Sequence, residues 1–337
     1  MTTFVVDPSV DPDDQPIERH EGRETSDKVF RGSLLGAGVI VLVIMGLVGV
    51  FLAVRGAQAL GVAGWGFLTT QSWEPDAGNF GIAAVLIGTL LIAAVAICVA
   101  VPLALAMALY ISEYAAGRLK SALISLVDLM AAVPSVIYGL WGFFFLQGQV
   151  VPLARWISTY FGWIPFFAVD GTDPSDPLAT ATVYTSSTFI AGIVVGFMVM
   201  PITSSVMREV FSQAPVGERE GAYALGATKW AMIRRVVLPF GRGGIIGGTM
   251  LGLGRAMGET IAVFMIISIV FVIQPHILQN GASSVSSLIA LRYGESTAMG
   301  LSALMAAGLA LFLLTLVVNF LASMIVARSR SGAASDA

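Results

Sequence analysis

The chain alternates long uncharged stretches with short clusters of charge. No charged residue occurs between Arg31 and Arg55, between Asp76 and Glu113, or between Glu295 and Arg328. Three further apolar runs carry few charges: 121–147 with Asp128, 186–207 with none, and 242–273, which starts on Arg242 and holds Arg255 and Glu259. A helix that crosses a bilayer needs roughly 20 mainly apolar residues. The pattern therefore predicts six spanning helices, near 32–54, 81–111, 121–147, 186–209, 240–273 and 297–327. Composition agrees, with 56% hydrophobic residues, 12% charged and a mean hydropathy of +0.85. That is a membrane composition rather than a soluble core. The expectation is an all-α integral membrane protein, with a membrane domain over 28–330 between polar tails at 1–27 and 331–337.

Pro102, Pro134 and Pro201 fall inside the apolar runs. They read as tolerated kinks, because neighbouring helices can satisfy the backbone groups that proline frees. Orientation follows from Lys and Arg, which concentrate in cytoplasmic segments. Fourteen of the eighteen lie on one side: Arg19, Arg23, Lys28 and Arg31, then Arg118 and Lys120, then Arg208, Arg219, Lys229, Arg234, Arg235 and Arg242, and last Arg328 and Arg330. Arg55, Arg155 and Arg292 lie on the other, and Arg255 inside the membrane. Both termini are therefore expected in the cytoplasm. The first 27 residues hold eight acids and read as a disordered cytoplasmic tail. The apolar run after Arg31 is too long for a signal-peptide core and reads as a retained helix. Cys98 is the one cysteine, so no intrachain disulfide can form.

Residues 148–186 are expected outside, with Trp156, Tyr160, Phe161, Trp163, Phe166 and Phe167 gathered in 153–167. Trp and Tyr favour the membrane boundary, so an interfacial helix is the simplest account. A docking surface for an external binding protein is the other.

The polar gap at about 212–239 is the most informative segment. Residues 220–239 read EGAYALGATKWAMIRRVVLP. Ala222, Tyr223, Leu225 and Trp230 give a short helix a small apolar surface, and Gly226 can end that helix because it accepts positive φ. Such a helix either connects two spans or docks in a groove on a partner. The spacing runs Glu220, Gly221 and Ala222, three residues, Gly226, nine residues, then V-x-L-P from Val236 to Pro239. It resembles the cytoplasmic loop of ATP-binding-cassette (ABC) import permeases, with Gly221 standing where that family usually has Ala. The resemblance implies the type I importer permease fold and makes Glu220, Gly221, Ala222, Tyr223, Leu225, Gly226 and Trp230 an ATPase-docking segment.

Inside the fifth run, Gly244, Gly248 and Gly252 repeat every fourth residue. Such stripes let helix backbones approach closely in lipid, and a partner permease is the expected neighbour. On one continuous helix these glycines fall with Arg255 and Glu259 in an arc of roughly 80°. Arg255 lies 13 residues beyond Arg242, about 20 Å along a helix, deep in a hydrocarbon layer about 30 Å thick. A central Arg on a lipid-facing helix costs at least about 2.5–3.5 kcal/mol. Two readings offset this: an i,i+4 pair with Glu259 buried for packing, or an anion site on a translocation path. Guanidinium binds tetrahedral oxyanions through bidentate, charge-assisted hydrogen bonds. Near neutral pH phosphate keeps a P–OH donor that sulfate lacks, which Glu259 can accept.

GLGRAMGETIAV at 252–263 and AAVPSVIYGLWG at 131–142 resemble the phosphate-specific branch of these importers, the second its C-type permease subunit. Sulfate and molybdate permeases carry a related R-x-x-G-E stretch, so those oxyanions stay open as alternatives. The resemblance covers roughly 30–327. It implies a prokaryotic plasma-membrane permease that works with a similar second permease, two copies of a cytoplasmic ATPase and an external phosphate-binding protein. No cofactor is expected on this chain, with ATP and Mg on the ATPase. The string nearest a phosphate-binding loop, from Gly221 to Thr228, lacks the Lys after its second Gly, and no nucleophile–base pair appears, so the chain is not expected to be an enzyme. An ion-coupled secondary transporter has no need of the docking segment. Asp128 is expected to cap a helix or pair with a cytoplasmic Arg, and Asn319 to bond between helices. His20 and His276 are too isolated for a metal site.

Overall fold

The structure is a computed structural model in which residues 25–171 and 181–330 are described. The tail expected over 1–27 lies outside these apart from its last three residues, which begin the first helix, and the tail at 331–337 lies outside altogether. The chain forms two units, one ending at Val50 and one starting at Phe51.

Helix α1 (Thr25–Ala63) is followed by a short antiparallel ribbon of β1 (Trp73–Glu74) and β2 (Asn79–Phe80), in which Trp73 faces Phe80. Then come α2 (Ala83–Leu109), α3 (Gly117–Ala132), α4 (Ser135–Trp141), α5 (Gln147–Phe161) and α6 (Thr188–Ser212). The polar gap holds α7 (Val216–Ala224), α8 (Lys229–Met232) and the single turn α9 (Leu238–Phe240). The last part contains α10 (Arg242–Gly258), α11 (Ile261–Ile266), α12 (Val285–Arg292) and α13 (Ala298–Arg330). Helices long and apolar enough to cross a membrane cover Lys28–Leu68, Ala83–Tyr114, Ser135–Phe161, Thr188–Ser212 and Ala298–Leu321. Lys229–Phe240 and Arg242–Gly258, bent by 65°, make a sixth if they form one span.

The core is built around α6, and small residues explain why. On one side Gly192 and Gly196 sit against Val95, Ala96 and Val99 of α2. The matching face of α2 is Ala96, Ala100, Ala104 and Ala108, each fully buried. On the other side lies the glycine stripe of α10. A β-carbon on Gly244 would meet Val210 at 2.6 Å, one on Gly248 the Thr203 carbonyl at 3.0 Å, and one on Gly252 Thr203 Oγ1 at 2.7 Å. The stripe was expected to pack on a partner permease; Gly244, Gly248 and Gly252 instead seat α10 on α6 of the same chain. Close approach is the same physics in both cases, and sequence alone does not say which helix supplies the other surface.

Two expected helices are broken. The run 121–147 divides at Val133 and Pro134, both extended, with ψ 128° and 140°. Proline disfavours the α region at the residue before it and here ends α3. The third spanning helix is therefore shifted to Ser135–Phe161, joined through a π turn at Gly142–Leu146. Trp156, Tyr160 and Phe161 end that helix rather than forming a separate interfacial one. Pro102 and Pro201, by contrast, stay inside α2 and α6. The run 240–273 stops being helical at Gly258, resumes for six residues in α11, and then is irregular to Ser284. Part of the segment expected outside the membrane, 172–180, lies outside the described residues.

The packing of α10 on α6 is open to a stability test. Gly252→Ala places a methyl group against Thr203 and Val199, and overpacking of this kind costs about 1–3 kcal/mol. Gly247, which has nothing within 4 Å of its would-be β-carbon, is the control. Gly247→Ala is expected to stay at or slightly above wild type, because Ala is the better helix former by about 1 kcal/mol. Thermal unfolding of the two purified variants checks the difference, and equal midpoints would contradict the packing.

Candidate functional site

Helix α10 is 17 residues long, about 25 Å, and Arg255 stands in its last turn. The helix ends because Gly258 and Thr260 are weak helix formers and polar side chains here compete for the backbone. Thr260 Oγ1 donates to the Gly258 carbonyl at 3.2 Å. Glu259 leaves in an extended conformation, φ −67° and ψ 128°. Its carboxylate turns forward, and Oε1 accepts from the Ala262 N–H at 3.3 Å, capping α11.

This corrects one expectation. Arg255 and Glu259 do not form an i,i+4 pair on a shared helical face, because the helix ends between them. Among the described residues Arg255 forms no ion pair. It is exposed on this chain and lines a cleft of about 610 Å³ with Ile202, Met250, Leu251, Gly254, Asn319 and Ser323. Asn319 lies directly across from Gly254, where a β-carbon would be 3.7 Å from its amide atoms. It lines the cleft, and among the described residues its amide makes no hydrogen bond to another helix. Tyr138 of α4 donates its hydroxyl to the Met130 carbonyl at 3.1 Å. Tyr138 was not singled out from the sequence, although it lies in the quoted stretch 131–142. Asp128 is exposed on α3, without an ion pair among the described residues. His276 pairs with Asp170 at 3.3 Å.

Hydroxyl side chains take up several backbone groups beyond the break. Ser286 Oγ donates to the Glu259 carbonyl at 2.7 Å, and Thr89 Oγ1 accepts from the Val285 N–H at 3.0 Å. Ser283 Oγ accepts from the Val270 N–H at 2.9 Å. Ser284 and Ser287 form a reciprocal capping box at the start of α12. The sequence carried a signal for this cluster: paired serines, Ser283-Ser284 and Ser286-Ser287, directly before an apolar run.

The docking segment folds as α7, a tight turn and α8. Gly226 has φ +81°. Its N–H bonds the Tyr223 carbonyl and that of Ala227 the Ala222 carbonyl, at 2.9 and 3.0 Å, the two bonds of a Schellman cap. Thr228 then caps α8 by accepting from the Ala231 N–H at 3.2 Å. Glu220, Gly221, Tyr223, Leu225, Gly226 and Trp230 are exposed, Leu225 at 90%. Ala222 differs: it is half-buried and packs on the core. Tyr223, Leu225 and Trp230 are thus exposed apolar side chains on a polar loop.

Residues 100–331 match the family described as the inner membrane component of binding-protein-dependent transport systems. The chain belongs to this family. Similar inner membrane components include a protein of Mycobacterium tuberculosis called phosphate transport system permease protein PstC 2, 36% identical over 87% of this chain and 89% of its own length. Proteins called PstC from Mesorhizobium japonicum and Mycobacterium leprae are 35% and 38% identical, over 91% and 84% of this chain and 93% and 86% of their own. Among solved structures, a chain of a bacterial alginate ABC transporter, in complex with an alginate-bound periplasmic protein, superposes with a TM-score of 0.56 at 20% identity, over 91% of this chain and 98% of that one. The fold is thus that of a type I ABC importer permease.

The capped turn yields a prediction. Gly226→Val forces a β-branched residue into positive φ, at a cost of about 1–3 kcal/mol. Hydrogen exchange at the Gly226 and Ala227 amides is expected to speed up roughly tenfold or more as the last turn of α7 opens, while the amides of α6 keep wild-type protection. Unchanged exchange would show that the turn does not depend on the glycine.

Proposed function

We propose that this chain is the C-type permease subunit of an ATP-driven importer of inorganic phosphate, forming half of the translocation path. The observation that carries the reading is Arg255, a guanidinium about 20 Å along α10 from Arg242 and without an ion pair among the described residues. A cation at that depth calls for an anion, and the chain itself leaves the place beside it open. Its likeness to permeases called phosphate transport proteins supports phosphate as that anion. Arg255 binds the oxyanion through paired N–H donors, with Asn319 lining the same cleft. Glu259 uses one carboxylate oxygen to cap α11 and offers the other to a P–OH proton, which favours phosphate over fully deprotonated sulfate.

In this reading a second, similar permease supplies the other wall of the path. The exposed apolar face at Tyr223, Leu225 and Trp230 seats one of two cytoplasmic ATPase subunits, which hold ATP and Mg, and this chain binds no cofactor of its own. An external phosphate-binding protein delivers the substrate on the opposite side. Both termini lie in the cytoplasm of a prokaryotic cell, as the distribution of Lys and Arg supports.

Two substitutions test the path. Arg255→Gln keeps most of the side-chain length and one N–H donor group but removes the charge and one charge-assisted bond, a loss of about 1.5–3 kcal/mol. The phosphate concentration for half-maximal uptake is expected to rise about 10- to 100-fold, with the complex still assembled. Glu259→Gln keeps an oxygen for the Ala262 N–H, so the break stays capped, but weakens discrimination against sulfate. Uptake of labelled phosphate with sulfate or molybdate as competitor reads both effects. Wild-type uptake by assembled Arg255→Gln would remove Arg255 from the path, and preferred molybdate uptake by the wild type would reassign the substrate.

A further inference from the structure

The α7–α8 loop is not joined to the helical core by chain connectivity alone. Glu113 lies in the π turn Tyr110–Tyr114 that ends α2. Its Oε2 is 3.1 Å from Arg219 Nη1, with the Glu113 side chain 3% exposed and that of Arg219 21%. Ser112 Oγ donates to Glu113 Oε1 at 2.7 Å, which orients the carboxylate. Arg219 Nη2 donates to the Phe211 carbonyl in the last turn of α6, at 2.6 Å. One guanidinium on α7 thus holds the ends of both α2 and α6. A second contact runs in parallel: Lys229, the first residue of α8, places Nζ 4.6 Å from the centre of the Tyr114 ring. Neither charge of the ion pair belongs to the exposed apolar face at Tyr223, Leu225 and Trp230, so docking of a partner there leaves the pair intact.

Buried ion pairs add little net stability, but removing one partner strands the other charge. Here the pair joins α7 to the turn that ends α2. From this we infer that the Glu113–Arg219 pair makes α7 move as one piece with the ends of α2 and α6. Displacement of the docking loop then reaches α2 and α6 directly, and both pack on α10, whose last turn carries Arg255. Glu113 and Arg219 are positioning residues that pass movement from the loop to the path. The inference rests on the transporter reading, in which an ATPase sits on the α7–α8 face.

The test uses the full complex in proteoliposomes and reads phosphate moved per ATP hydrolysed. Glu113→Gln and Arg219→Gln are each expected to lower that ratio about tenfold, within the range that coupled residues show in double-mutant cycles. The double variant is expected to lose no more than either single one, and Arg219→Lys, which keeps the charge, to retain most of the ratio. A ratio at wild type in the single variants, or losses that multiply in the double, would overturn the tie. A wild-type complex that moves no phosphate with ATP would refute the transporter reading instead. A second measurement leaves the pair in place, which guards against variants that fail to assemble. Spin labels at Tyr110 and Glu218, both exposed, with Cys98 replaced, are expected to keep one separation with and without ATP. A change of about 5 Å, one helical turn, would show that α7 slides past α2 and would overturn the proposal.

Discussion

Backbone N–H and C=O groups have no water to turn to in the hydrocarbon layer, and each one left unpaired costs several kcal/mol. A helix can break there only where side chains take over the lost bonds. The break between Gly258 and Thr260 meets this demand. Glu259 caps α11, Ser286 binds the Glu259 carbonyl, Thr89 binds the Val285 N–H, and Ser283 binds Val270. The arrangement has a consequence for charge. A continuous helix would have set Glu259 one turn from Arg255 and neutralised it. The break commits one Glu259 oxygen to the backbone and leaves Arg255 exposed beside a cleft.

The second constraint is distance. α6 packs on both α2 and α10, and at each contact a row of glycines on one helix lets the backbone of the other come close, Gly192 and Gly196 against α2 and Gly244, Gly248 and Gly252 against α6. Helices packed through backbone rather than long side chains have little room to slide or tilt independently. The α7–α8 loop joins this three-helix unit through Arg219, which binds both Glu113 and the Phe211 carbonyl. The exposed apolar face of the loop and the cation at the far end of α10 are thus parts of one packed body. That is the arrangement a permease needs if work done on one face is to alter a path inside it.

Features set by local chemistry were legible in the sequence. The apolar runs marked the spans, Gly226 marked the end of α7, and the Gly244–Gly248–Gly252 stripe marked a close helix contact. Features set by a competition between elements were not. Pro134 looked like Pro102 and Pro201, yet only Pro134 ended a helix, and that shifted the third span to Ser135–Phe161. The glycine stripe marked a contact without naming its partner, which is α6 of the same chain. Arg255 and Glu259 had the spacing of a helical pair, but spacing carries no information on whether the helix continues between them. The Glu113–Arg219 pair joins residues 106 positions apart, a separation at which no local pattern speaks.

In the proposed function Arg255, which has no ion pair among the described residues, receives the transported oxyanion. The most direct measurement is a structure of the assembled complex trapped with phosphate in the membrane. Density for a tetrahedral anion is expected at hydrogen-bond distance from the Arg255 guanidinium, with Glu259 still on the Ala262 N–H. An anion bound elsewhere, with Arg255 closed onto Glu259 or onto a carboxylate of the partner permease, would contradict it.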